Sequence, residues 1–436
     1  MTKSELRKAS LFYLVFVMFS YTTGGPFGLE DVVSKSGPGM ALVYILVLPF
    51  FWCIPMALAS AELTTALPVE GGFYRWVHAA FGDFWGFLAG WWNWTAAFLL
   101  CSAYAVLFAD YLRFFFPSLV GWKHDGASAA LIAAIAYINI RGIRMVGAVA
   151  TALEIFVFLP VIVLCVMGAV NMRHNPFLPL VPPRRPLFEI FGVGLALALW
   201  SYSGYEQLST VAEEVENPQR SYPRALAWVV PLSMAAYLLP TFFALAALGN
   251  WQEWKTGYFP IAANLIGGPW LGVWMTLAAT VTTVALLNST VLSTTRMPFV
   301  LAQDGYLPAA ICNLHPRFGT PWIAIGFSSL IYALFSFHTL TQLISVYIWL
   351  RIATSVMTFL AAWQLRRSMP GLPRPFRIPW GRKGLAYVVG APLFMSGVAL
   401  LGSDRFGLRW GPVALLLGPL VYLLIRRRSI SPRLKS

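Results

Sequence analysis

Charge is what this 436-residue chain has least of: Asp, Glu, Lys and Arg make up 11% of it, against 58% hydrophobic and 15% aromatic residues. Soluble domains carry about 25% charged residues, so this composition excludes a water-soluble domain and requires a bilayer as solvent. Cysteine is scarce too. Cys53, Cys101, Cys165 and Cys312 stand far apart with no C-x-x-C spacing, which excludes a disulfide framework and a thiolate metal site. The five histidines are equally dispersed, so neither a metal centre nor any other cofactor is expected. H-E-x-x-H and G-x-S-x-G are absent, and no two carboxylates have the spacing of an enzyme's acid and base. No enzyme is expected. Acidic residues are few enough to leave a formal charge of +14, which would suit nucleic acid if the basic residues formed one face. They lie between apolar runs instead, and no nucleic-acid partner is expected.

What is present is long apolar sequence. Windows bounded by Gly, Pro or charge fall near residues 11 to 33, 39 to 66, 82 to 112, 127 to 140, 146 to 170 and 187 to 211 in the first half. In the second half they fall near 225 to 248, 267 to 300, 322 to 337, 340 to 365, 384 to 402 and 410 to 425. They predict an all-α membrane protein of about twelve helices. One transmembrane unit is expected over residues 1 to 436, with a tail at 1 to 10, a core at 11 to 365, two additional helices at 384 to 425, and a basic tail at 426 to 436. The N-terminal stretch has the basic-then-apolar order of a signal peptide, but lacks an A-x-A site and reads as a retained first span. Placing it in the cytoplasm puts roughly twenty basic residues inside and about nine outside. Both termini are therefore expected to be cytoplasmic, in a cell membrane.

Two windows contain breaks. Tyr21-Thr22-Thr23-Gly24-Gly25-Pro26-Phe27-Gly28 places three glycines and a proline at membrane depth, and Ser201-Tyr202-Ser203-Gly204-Tyr205 does so less strongly. A helix in lipid satisfies its own backbone, so such breaks are tolerated where the freed groups face a cavity or a solute. Breaks in the first and sixth spans are what two inverted five-helix repeats produce, with solute at their shared midplane. That pattern points to a secondary transporter; the alternative is that Gly and Pro are simply common in transmembrane helices.

Three loop blocks carry a family resemblance. Glu214 to Ala225, EVENPQRSYPRA, resembles the E-x-x-N-P-x-R-x-x-P-x-A signature of the amino acid, polyamine and organocation transporter superfamily. Arg296 to Ala302 with Asp304-Gly305, Leu307-Pro308, His315-Pro316 and Gly319-Thr320-Pro321 is similar to that family's loop after span eight, and Leu372 to Pro379 to its loop after span ten. The resemblance implies ten core helices in two inverted repeats, with helices 1 and 6 broken, two further helices, and alternating access. Some members pair through the last two helices, which would make a homodimer. Gly24 to Asp31 looks most like the first span of polyamine-uptake transporters, and Trp200-Ser201-Tyr202-Ser203-Gly204-Tyr205-Glu206 resembles the W-x-x-x-G-x-E of exchangers for basic amino acids and polyamines. By that resemblance Trp200 closes over substrate and Glu206 senses protons. The fifth span departs from proton-coupled members in having Glu154 and no lysine, which leaves proton and sodium both open.

The expected substrate contacts are Thr23, Gly24, Gly25, Phe27, Gly28, Glu30, Trp94, Trp200, Ser201, Ser203, Gly204, Glu206 and Tyr347. Amides freed at the first break can hold a carboxylate and freed carbonyls a cation, so an amino acid would use both. Glu30 and Glu206 follow the two breaks. A carboxyl at membrane depth is costly unless paired, hydrated or protonated, so protonation can alternate with amine binding, and both residues are expected in proton coupling. Trp94 and Tyr347 offer ring faces to an ammonium group, with packing as the alternative. Ser289, Thr290 and Ser293 offer oxygens for an ion such as sodium, with helix packing as the alternative. Arg351 lies deep in the tenth span, where neutralising one of the acidic residues, Glu30 among them, would return the site to neutral amino acids. An amino acid or polyamine permease is the leading expectation, and a non-transporting solute sensor the competitor.

Overall fold

The computed structural model describes residues 11, 15, 18, 19, 23–68, 71–142, 147–185, 190–204 and 217–430. All regular structure among them is helical. Residues 11, 15, 18 and 19 are helical, and the chain then runs irregularly through residues 23–29 into α1 (Glu30–Ser36). There follow α2 (Pro38–Leu48), a π-helical turn at Pro49–Cys53, α3 (Ile54–Ala66), α4 (Phe73–Phe81), α5 (Asp83–Leu112), α6 (Trp122–Ile140), α7 (Gly147–Val170) and α8 (Val193–Ser201). The second half holds α9 (Pro218–Leu248), α10 (Tyr258–Gly267), α11 (Pro269–Thr294), α12 (Arg296–Gln303), α13 (Trp322–Phe335), α14 (Leu340–Ser368), α15 (Gly381–Leu401) and α16 (Arg405–Ile430).

Eight segments of the described chain are long and apolar enough to cross a membrane, among them Pro38–Ala66, Asp83–Leu112 and Leu340–Ser368. The other four expected windows carry interrupted, shorter or less apolar helices: the two broken segments, α6 and α13. Burial separates centre from periphery. Within its apolar window α14 is 72% buried, whereas α16 is 11% buried and presents Leu416, Leu417, Leu420, Leu423 and Leu424 outward. Without water to hide from, exposed leucine is the expected lining against lipid tails. α14 packs against α5, α4, α8 and α16, a central post on which the helix leading into the second break rests.

The chemistry of proline explains one junction. Pro49 has no N–H to give Ile45 O, which a regular helix would require, and the Tyr202 hydroxyl donates to that carbonyl instead at 2.7 Å. The chain widens into a π turn there, closed by the Ile54 N–H on Pro49 O. In that pattern Phe50 O would look to residue 55, a second proline, and the Tyr387 hydroxyl of α15 supplies the bond. The prolines of this span thus create acceptors that tie it to the second break and to α15.

Candidate substrate site

The first break is held open by its own residues. Gly25 and Gly28 take φ of 78° and 89°, which an L side chain rarely adopts, and Pro26 between them has no donor. A side chain at Gly28 would also meet Trp200, whose ring atoms lie 2.8 Å from where a Cβ would sit. The second break follows α8: Tyr202 leaves the helix and Gly204 takes φ of 114°. Each break is moored to α9. Thr23 Oγ1 lies 2.6 Å from Ser233 Oγ, and the Tyr237 hydroxyl donates to Ser201 O at 2.9 Å.

Between the breaks is a cavity of about 50 Å³, lined by Gly24, Gly25, Phe27, Tyr104, Leu107, Trp200, Ser201, Ser203, Tyr237, Thr282, Thr283 and Leu286. None of these residues is charged. Four are aromatic, and the Trp200 and Tyr104 rings sit 6.0 Å apart. Ser201 and Ser203 donate to the carbonyls of Leu197 and Leu199 and keep oxygen lone pairs free to accept. Thr282 is different, because its buried hydroxyl finds no hydrogen-bond partner among the described residues.

The structure gathers Gly24, Gly25, Phe27, Trp200, Ser201 and Ser203 of the expected contacts on this cavity, with Thr23 and Gly204 adjoining them in the chain. Gly28 and Glu30 lie directly behind the wall. Glu30 is fully buried, and its carboxyl accepts from the Tyr111 hydroxyl at 2.6 Å and from the Gly28 N–H at 2.8 Å. It is not paired with Arg351, whose guanidinium lies over the Phe73 ring at 5.6 Å, against α4. Asp31 is satisfied by the Thr256 hydroxyl at 2.6 Å. Glu206 lies outside the described residues.

Other expected contacts are placed elsewhere. Trp94 is buried but donates to Ser328 Oγ at 3.1 Å and packs on Phe327, so it faces α13. Tyr347 is buried in α14 and is not part of the lining. Ser289 is exposed, and the Ser293 hydroxyl donates to Thr290 O. Ser289 and Thr290 sit about 10 Å further along α11 than Thr282 and Thr283, two turns at 5.4 Å each, and Ser293 about 16 Å, three turns. Tyr104, Leu107, Tyr237, Thr282, Thr283 and Leu286 were not singled out by the sequence. The available signal was spacing, since Thr282, Thr283 and Leu286 share one face of a helix, but α5, α9 and α11 are apolar on every side and lack a polar stripe to orient them.

Comparison with known proteins settles the family. The sequence model of the amino acid permease family matches residues 10–404. The chain belongs to that family. It is accordingly a multi-pass membrane transporter and not an enzyme. The permease is 32% identical over 401 residues to the polyamine transporter RMV1 of Arabidopsis thaliana, covering 92% of this chain and 81% of that protein. It is 32% identical over 403 residues to the polyamine transporter PUT1 of Oryza sativa subsp. japonica, covering 91% and 74% of the two chains. A serine/threonine exchanger of Bacillus subtilis, SteT, is 26% identical over 431 residues, 97% of each chain.

Proposed function

We propose that this permease carries a cationic amine, a polyamine or a basic amino acid, by alternating access through the cavity between the two breaks. One observation carries the reading: the cavity lining offers aromatic faces and hydroxyl oxygens with no basic side chain among its described residues. Such a lining attracts an ammonium group through ring quadrupoles and lone pairs, and offers a lone carboxylate no cation. The likeness to plant polyamine transporters supports the same substrate class. Glu30 is held by the Tyr111 hydroxyl and the Gly28 N–H and is not spent on Arg351, which leaves its carboxyl at the first break. The expected cytoplasmic termini are supported by the gathering of Arg75, Arg366, Arg374 and Arg377 at one end of the bundle, in a cell membrane with the positive end inward.

Coupling to protons through Glu206 belongs to this proposal, with sodium as the competing ion and pairing of two copies through the last two helices as an added expectation. Its support is the W-x-x-x-G-x-E pattern, whose Trp200 does line the cavity. The test is uptake of labelled putrescine, arginine and leucine into proteoliposomes with and without a pH gradient. Uptake of the cations that responds to the gradient, and loses that response in Glu206→Gln, is the expected result. Leucine uptake without competition from amines would reject the cationic reading, and an unchanged pH response in Glu206→Gln would reject the coupling.

A further inference from the structure

We infer that Glu30 sets the substrate class by taking, within the protein, the place that a substrate carboxylate would need, so that the permease accepts amines without a carboxylate and rejects the corresponding amino acids. The inference rests on the cationic-amine reading and narrows it.

The geometry is that of a built-in carboxyl group at the first break. Glu30 Oε1 accepts from the Tyr111 hydroxyl at 2.6 Å and Oε2 accepts from the Gly28 N–H at 2.8 Å. The same N–H lies 3.0 Å from Tyr111 Oη, so hydroxyl, amide and carboxyl close a three-membered circuit. Tyr111 in turn meets the Phe27 ring edge-on with centroids 5.5 Å apart, and Gly28 lies against Trp200. Phe27 and Trp200 are cavity wall. The carboxyl therefore sits one side chain behind the solute space, on the backbone that closes the break.

A donor count then decides between substrates. Pro26 has no N–H, the Gly28 N–H goes to Glu30, and the Leu29 N–H goes to Pro26 O at 3.3 Å. Across the break the Gly25 and Phe27 amides donate to no described residue, and the Gly28 amide is the one the resident carboxyl takes away from a ligand. An incoming α-carboxylate would find the Gly28 amide taken and a resident carboxyl group behind it, and the described residues of the lining include no Arg or Lys in compensation. An ammonium group meets none of these obstacles. The occupied amide excludes a carboxylate whether Glu30 is ionised or protonated, so the selectivity does not depend on its charge alone.

Putrescine and ornithine differ by one carboxylate, as do cadaverine and lysine, and they make the test. Unlabelled members of each pair are titrated against labelled putrescine uptake by the wild-type protein in proteoliposomes. Ornithine is expected to inhibit about a hundredfold less well than putrescine, the scale of a like-charge contact with an unmet hydrogen-bonding group. Glu30→Ala, which frees the Gly28 N–H, is expected to bring the two within about tenfold, while Glu30→Gln, which keeps an acceptor on that amide, narrows the gap less. Equal inhibition by ornithine and putrescine in the wild type overturns the inference and leaves the cationic-amine reading standing. Leucine uptake indifferent to both cations instead overturns that underlying reading. If Glu30→Ala does not fold, Glu30→Gln alone carries the test, with the ratio expected to narrow severalfold; an unchanged ratio in the folded variant overturns the inference.

Discussion

The two ends of the bundle are closed by different chemistry. At the end where α3 and α14 finish, closure is ionic. Glu62 is buried and accepts from Arg366 Nε at 2.6 Å, from the second Arg366 nitrogen, and from the Ile378 N–H at 2.7 Å, with Arg374 Nε 3.5 Å away. Asp304, beyond α12, pairs with Arg75 of α4 at 2.9 Å and accepts from the Tyr74 hydroxyl. At the opposite end the charged contacts are longer, with Asp110 3.3 Å from His124 and 3.8 Å from Arg113, and the close bonds come mainly from hydroxyl and amide donors. The Ser36 and Tyr44 hydroxyls share Ile190 O, Met40 N–H donates to Leu180 O at 2.9 Å, and Thr256 holds Asp31. Neutral hydrogen bonds contribute about 1 kcal/mol each because water replaces them, whereas removing one partner of a buried ion pair costs about 3–5 kcal/mol. The difference teaches that a carrier of this build holds one end with a latch and the other with a zip. The zip is the less costly to open.

The most severe way to break that comparison is Glu62→Ala. It strands two guanidinium groups and the Ile378 N–H, and is expected to lower stability by about 3–5 kcal/mol, read as a fall in the melting midpoint of detergent-solubilised protein. Thr256→Val, at the opposite end, is the matched control. Similar losses in the two variants would show that the ends do not differ as described.

A smaller effect is expected from Gly39→Ala, which acts on that opposite end alone. A methyl group there would run into Phe177 O and sit 2.7 Å from the Leu180 α-carbon. Both are backbone atoms of the segment that Gly39 and Met40 hydrogen-bond, so neither can swing aside as a side chain would. Overpacking of this kind costs about 1–3 kcal/mol. The zip should part while the latch holds. The readout is faster maleimide labelling of Ser36→Cys, which is buried in the closed end, with no matching change at a cysteine replacing Thr65 beside Phe376. Equal acceleration at both positions would mean the strain spreads through the bundle and the two ends are not separate devices.

How much of this was legible in sequence follows from the same physics. Hydropathy marks apolar windows directly, and those at 39 to 66, 82 to 112 and 340 to 365 agree with Pro38–Ala66, Asp83–Leu112 and Leu340–Ser368 to within a few residues. The breaks were legible because Gly25, Pro26 and Gly28 cannot continue a helix in lipid, and half of the cavity comes from them. The other half comes from unbroken helices. On α5 the sequence favours Trp94 as an aromatic contact, but Tyr104 and Leu107 line the cavity, and they lie about 80° and 140° around the helix from Trp94. With Trp, Phe and Leu on every face, nothing in the sequence says which face turns inward. Long-range partners were equally hidden: Glu30 with Tyr111 and Glu62 with Arg366 are separated by 81 and 304 residues. Only packing reveals such pairs.

The smallest expected effect falls on the cavity itself, between the two ends, and separates holding the fold from holding the solute. Thr282 has a buried hydroxyl without a hydrogen-bond partner among the described residues, whereas its neighbour Thr283 donates to Thr280 O at 2.9 Å. Valine matches threonine in shape and lacks the hydroxyl. Thr283→Val removes a bond the fold uses, so a modest loss of stability is expected. Thr282→Val removes a group the fold leaves unsatisfied, so stability should hold or rise slightly. If that hydroxyl serves the bound amine, its loss should weaken inhibition of uptake by about two- to tenfold, the worth of one hydrogen bond. A Thr282→Val protein less stable than wild type but unaltered in affinity would place this hydroxyl with the packing, and the solute would have to find its oxygens at Ser201 and Ser203.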